Sequence, residues 1–264
     1  MKTISDETIK RIVKESYGKI AKADNSCACW HPSSCCGETP TVDQASKNIG
    51  YSEEELSGTP EGANMGLGCG NPQAIALLKP GETVLDLGSG GGFDCFLAAN
   101  AVGKEGKVIG VDMTPEMITK AKENAAKGGY ENVDFRLGEI ENLPVADNSV
   151  DVILSNCVIN LSTDKEKVYI EAFRVLKPGG RLAIMDIVVT AELPEEIREN
   201  LSLYTGCIAG AQQIDHLERT VKKASFQNIN IHAKDESREF IREWIPGSRT
   251  EDYIVSAAIE ATKP

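Results

Sequence analysis

Apolar positions recur along the chain in two rhythms, one of a helix and one of a buried strand. Residues 6–22, DETIKRIVKESYGKIAK, place Ile9, Ile12, Val13, Tyr17 and Ile20 on one face at helical spacing with charges opposite; this predicts an amphipathic helix docked on a larger body. Residues 24–70 are rich in Cys, Gly, Ser, Pro and Glu and carry only short helical signals, the profile of a long functional loop region. From residue 72 onward strands and helices alternate. PQAIALLK reads as a helix and TVLDLGSG, 83–90, as an apolar strand running into glycines. The helix FDCFLAANAVG, the strand KVIGVDM at 107–113 and a helix capped by Thr114 with Pro115 in its first turn follow. VDFRLGE and VDVILSN predict two more strands, KVYIEAFRVLKPGG a helix stopped by glycine, and RLAIMDIV a fifth strand. Uninterrupted apolar strands alternating with helices predict an α/β fold: a mostly parallel sheet with helices on both faces.

The C-terminal part begins with a helical stretch, LPEEIRENLSLYTGCIAGA, then IDHLERTVKKASF as a helix and NINIHAK and YIVSAAIEAT as late strands of the same sheet. Three regions result: an N-terminal helix and cysteine-rich segment at 1–71, a core at 72–190, and a helical cap with two closing strands at 191–264. Residues 191–226 would form that cap beside the sheet's C-terminal edge.

Charge and cysteine content narrow the functional classes. A formal net charge of −12 over 264 residues, with acidic groups dispersed, disfavours nucleic acid and anionic membrane as partners. No stretch approaches the roughly 20 apolar residues that span a bilayer, and the N-terminus lacks a signal-like apolar run, so the expectation is a soluble, cytoplasmic protein, with a monomer as the default for this architecture. Eight cysteines in a reducing compartment point to metal, metalloid or redox chemistry before a disulfide framework.

The glycine run Asp86-Leu87-Gly88-Ser89-Gly90-Gly91-Gly92 follows the first strand and opens a helix, where backbone can approach a ligand closely and free N–H groups are available. Asp112 ends the second strand, the position from which a carboxylate reads a ribose diol in doubly wound folds. A nucleoside-like ligand follows from the pair. D-x-G-x-G-x-G after strand one, an acid ending strand two, GEIENLPV after strand three and RVLKPGGRL before strand five together resemble the class I S-adenosylmethionine-dependent methyltransferases. The resemblance implies a Rossmann-like fold with the N-terminal cysteine-rich segment and the C-terminal helical cap as additions. It also implies S-adenosylmethionine as cofactor, with Asp86, Gly88, Ser89 and Gly90 on the methionine side and Asp112 on the ribose. Met113, Glu139 and Ile140 would reach the adenine, and Asn156 would complete the cofactor set.

Ligands of open α/β sheets bind beyond the carboxyl ends of the strands, which places Cys157, just past strand four, on the acceptor side. Cys69 in GLGCGNP and Cys207 in YTGCIAGA are flanked by small residues, whereas Cys95 reads as a core residue of the first helix. SNCVINL, LGCGNP, and ELPEEIR followed by Gly-Cys closely resemble the arsenite S-adenosylmethionine methyltransferases. That likeness implies trivalent arsenic bound by Cys69, Cys157 and Cys207, with arsenite and methylated arsenite as substrates. It further implies Cys35 and Cys36 in arsenic capture or in a disulfide recycled by a thiol reductant of the thioredoxin or glutathione type. The cluster CACWHPSSCC also offers enough soft ligands for zinc, although its spacing is not the paired C-x-x-C form. Two alternatives stand beside this reading. One is a C- or O-methyltransferase of a small metabolite such as a quinone, the other a metalloid- or zinc-binding sensor that keeps the nucleoside pocket. His31, His216 and His232 sit in no acceptor motif that would favour the former.

Overall fold

The computed structural model describes residues 5–23, 41–198, 203–204, 206–244 and 247–264. Its strands are β1 (Thr83–Leu87), β2 (Lys107–Asp112), β3 (Val133–Leu137), β4 (Val150–Asn156), β5 (Leu176–Val189), β6 (Gln212–Gln213), β7 (Gln227–Lys234) and β8 (Ile254–Thr262). They form one sheet in the order β3-β2-β1-β4-β5-β8-β7, with β6 beside the end of β5. The first five pair in parallel, while β8 runs antiparallel to both β5 and β7. The order reverses between β1 and β4, and the crevice of an open sheet lies at such a switch point.

The helices are α1 (Asp6–Lys22), α2 (Val42–Asn48), α3 (Glu53–Ser57), α4 (Gln73–Ala76), α5 (Phe93–Val102), α6 (Pro115–Gly128), α7 (Lys165–Val175), α8 (Glu195–Arg198), α9 (Ile214–Lys223) and α10 (Arg238–Trp244). The period of two along the strands sorts their side chains into two cores. Leu85, Leu87, Ile109 and Val111 pack with Val168 and Ala172 of α7 and Leu217 and Val221 of α9. Val84 and Val108 pack on the opposite face with Phe96 and Ala99 of α5 and Ala121 of α6. Helix α1 lies outside this layer against α6, tied to it by Lys22 Nζ at 2.9 Å from Glu116 Oε1.

Several local expectations shift. Helix α4 stops after Ala76 because Leu77 takes a left-handed φ of 47°, and the Arg181 guanidinium donates to the carbonyls of Ala76 and Leu77 at 2.7 and 2.8 Å. Helix α7 ends at Val175, before the glycines, and LKPGG is already extended; Pro178 disfavours a helical Lys177. Helix α9, expected in the cap, is a layer helix packed on α7 and β7, leaving the region around Leu193, Ile197, Cys207 and Ile208 as the part set against the site. Helix α10, which the pattern did not predict, packs a fully buried Ile241 between the last two strands in sequence.

Candidate functional site

A cleft of about 1130 Å³, its open mouth included, lies at the carboxyl ends of β1, β2 and β4. Its floor is the glycine turn. Gly88 has φ +69°, and a Cβ there would overlap the Val158 side chain, so a side chain at this position is excluded by backbone and space together. Asp112 accepts the Gly90 N–H at 3.0 Å and the Thr114 N–H at 2.8 Å. The Asp112 carboxylate is therefore fixed by the glycine turn and by the N-cap residue of α6. Ser89 Oγ is buried and, among the described residues, has no hydrogen-bond partner; a ligand polar group in the cleft would supply one.

The wall is acidic. Asp86, Asp94, Asp112 and Glu141 line the cleft, and of the described lining residues Lys10 alone carries a positive side chain. Burial, then the neighbouring Asp94 charge, raises the Asp86 carboxyl well above its ordinary range. The Cys95 thiol donates to Asp86 at 3.2 Å, so this cysteine belongs to the core of α5 as expected. Burial also pushes Asp94 up to about 6, although Tyr51 donates to it at 2.8 Å. A positively charged ligand in the cleft would favour the ionised form of these carboxyls.

Met113 and Ile140 line the cleft beside Gly138. Glu139 does not; its carboxylate is 2.7 Å from Lys10 Nζ on α1, with more than half of the side chain exposed. The acid that faces the cleft is Glu141, which accepts from Ser162 Oγ at 2.7 Å and lies 3.2 Å from Lys10. Lys10, Val13 and Tyr17 of α1 close the cleft from above. The amphipathic period of this helix was readable, but nothing in it said that its apolar face covers a ligand site.

Three of the predicted thiols converge. Cys157, directly after β4, has φ +59°, and Cys207 has φ +62°. Cys207 Sγ donates to the Cys157 carbonyl at 2.7 Å, and the Cys69 sulfur lies within 4.8 Å of the Cys157 sulfur. The neighbouring Cys207 and Cys69 thiols, then burial, raise the Cys157 thiol well above the ordinary range. Burial likewise raises Cys69. The three sulfurs sit in an apolar cluster with Val13, Met185, Ile187, Ile208 and Ala258, while Cys157 also faces the cleft. All four described cysteines are free thiols. Cys35 and Cys36, with Cys27 and Cys29, lie outside the described residues.

Asp186 joins this cluster, its carboxylate within 4.8 Å of the Cys69 and Cys157 sulfurs. It accepts from Asn160 Nδ2 at 2.8 Å, Asn160 N at 3.2 Å and Ile187 N at 2.8 Å, and burial pushes it up to about 7. A lone acid inside the apolar run AIMDIV was the available signal, because a carboxylate in a buried strand requires partners.

A methyltransferase-domain family model matches residues 78–225. An arsenite methyltransferase of Halobacterium salinarum is 49% identical over 98% of this chain and 67% of its own length. An arsenite methyltransferase of Aquipseudomonas alcaligenes is 40% identical over 83% of this chain. The chain spans 62% of that second protein's length. A crystal structure of an arsenic(III) S-adenosylmethionine methyltransferase from Chlamydomonas reinhardtii superposes with a TM-score of 0.62 at 32% identity, over 86% of this chain and 74% of that one. With the sheet order, the glycine turn and the converging thiols, these likenesses place the chain in the arsenite methyltransferase family.

Proposed function

We propose that this chain transfers the methyl group of S-adenosylmethionine to trivalent arsenic held by Cys69, Cys157 and Cys207, with arsenite and methylated arsenite as substrates. The observation that carries the reading is the gathering of three buried thiols in one cluster at the wall of an acidic, nucleoside-sized cleft. Trivalent arsenic is soft and thiophilic. In each loading step an S–As bond replaces an As–O bond, and the thiol proton leaves with the hydroxyl as water. Three such steps give a neutral pyramidal adduct, which tolerates the apolar surroundings of these sulfurs.

The residues of the cleft fit the cofactor. Asp112 would accept the ribose hydroxyls, Ser89 Oγ would gain the partner it lacks, and Met113 and Ile140 would flank the adenine. Asp86 and Asp94 would face the charged methionine end. S-adenosylmethionine bound there would supply a methyl carbon made electrophilic by its sulfonium; its transfer to the arsenic lone pair would release the thioether and leave arsenic at the pentavalent level, from which two electrons of a thiol reductant would return it to the trivalent one. The chain's own part is positioning and exclusion of water. No general base is needed, because the nucleophilic lone pair carries no proton. A thiol reductant of the thioredoxin or glutathione type would complete the cycle, with Cys35 and Cys36 as the thiols that exchange with it.

The test is incubation of the full chain with S-adenosylmethionine, arsenite and a thiol reductant, followed by chromatographic and mass analysis of arsenic species. Methylated arsenicals are expected. A folded, cofactor-binding protein that leaves arsenite unmethylated would overturn the proposal.

A further inference from the structure

We infer that the Asp186 carboxylate serves the methyl-transfer step: its fixed negative charge stabilises arsenic as the positive charge of the sulfonium passes to it. The inference rests on the proposed arsenic site. Of the buried acids around that site, Asp86, Asp94, Asp112 and Glu141 line the cleft where the cofactor would lie, and Asp186 does not. It stands with the thiols instead, its carboxylate and the Cys69 and Cys157 sulfurs all within 4.8 Å of one another. Arsenic bonded to those sulfurs would lie no more than one As–S bond further from it. The side chain is buried, and its oxygens accept from Asn160 Nδ2, Asn160 N and Ile187 N at 2.8, 3.2 and 2.8 Å, so the charge is held in place. Those three donors require an acceptor, not a charge. A neutral amide or hydroxyl oxygen would serve them without the cost of burying an ion, and yet this position carries an acid.

The chemistry of the step gives that charge a use. The arsenic lone pair forms the As–C bond, the C–S bond of the sulfonium breaks, and its electron pair stays on sulfur as the thioether. One unit of positive charge therefore moves from the cofactor's sulfur to an arsenic that was neutral before the step. Asp86 and Asp94, at the methionine end, favour the charge where it starts and so oppose its departure. A carboxylate beside the thiols acts in the opposite sense, favouring the charge where it arrives. Its neighbours along β5, Met185 and Ile187, belong to the apolar cluster around the thiols, and a fixed charge in such surroundings is worth more than in water. Burial pushes the Asp186 carboxyl up to about 7, while the charge of Lys165 on α7 favours its ionised form. A cation arriving beside it favours that form further.

The experiment reads a single turnover. The full chain loaded with one equivalent of arsenite is mixed with S-adenosylmethionine and the release of S-adenosylhomocysteine is timed, with the affinities for arsenite and for S-adenosylmethionine measured alongside. A wild-type chain that binds both and releases no thioether overturns the proposed methyl transfer itself. With that arm positive, D186N is expected to slow the turnover about tenfold while both affinities stay within about twofold. D186E, which keeps the charge, is expected to recover part of the rate. N160A removes one donor from the carboxylate at a residue outside the cleft lining; it is expected to slow the turnover by a smaller factor with both affinities kept, and it reads the outcome if D186N does not fold. A merely structural role would weaken arsenite binding together with the rate. Such a paired loss, an unchanged rate in D186N and N160A, no recovery in D186E, or failure of both D186N and N160A to fold overturns the inference.

Discussion

Cys157 and Cys207 hold left-handed backbone at φ 59° and 62°, a conformation that costs a non-glycine residue about 1–3 kcal/mol and collects at functional sites. Replacing either by serine should abolish arsenic methylation and leave cofactor affinity nearly intact; full activity in both variants would reduce these thiols to packing residues. At the cofactor end, Asp112→Ala removes a charge-assisted hydrogen-bond acceptor worth about 1.5–3 kcal/mol. Calorimetric titration with S-adenosylmethionine should show binding weaker by about ten- to a hundredfold, and unchanged affinity would remove Asp112 from the ribose. Asp94 gives a pH dependence. Burial pushes it up to about 6, against about 3.9 in an unfolded chain. Between those values the folded state binds more protons than the unfolded one, so this carboxyl's contribution is complete below about pH 4 and is lost as pH rises through about 6. Urea unfolding at pH 4.5 and 7.5 should therefore show the wild type losing more stability across the interval than Asp94→Asn. Parallel losses would contradict the assignment.

At the scale of elements, the site depends on how closely separate segments approach one another. The 3₁₀ turn Ile159–Leu161 after β4 carries Asn160, whose amide holds Asp186 on β5. The carbonyl of the same residue abuts Gly210, where a Cβ would overlap the Asn160 oxygen. Gly210 thereby lets the segment carrying Cys207 lie against the turn that follows Cys157. Gly210→Ala has no flexible side-chain end to displace, only backbone, and should lift that segment. The expected outcome is a loss of arsenite affinity without loss of cofactor affinity, together with a lower unfolding midpoint. Retained arsenite affinity would show that the thiols do not depend on this approach. On the other side of the cleft, α1 contributes Lys10, Val13 and Tyr17 to the lining, so an element outside the sheet closes a site built at the sheet's edge.

For the whole molecule, the parallel core was legible because its strands are apolar runs bounded by glycines and capped helices, and period and punctuation are local properties. The glycine turn, Asp112 and Cys157 were legible for the same reason: each sits at a strand end, and strand ends define the ligand edge. What was not legible depends on distant partners. Glu139 and Glu141 are two residues apart and only packing decides which faces the cleft; Lys10 draws the first outward while Ser162 holds the second inward. Asp186 becomes intelligible only with Asn160 and the two thiols beside it. Asn156 lines the cleft as its place in the chain suggested, but that its amide also holds the backbone of a loop 86 and 87 positions away was not readable.

The central claim, that arsenic sits on the thiols that converge after β4, is tested most directly by X-ray absorption at the arsenic edge on the full chain loaded with one equivalent of arsenite. The account predicts three sulfur neighbours in the wild type and fewer in Cys157→Ser; an arsenic environment unchanged by that substitution would contradict it.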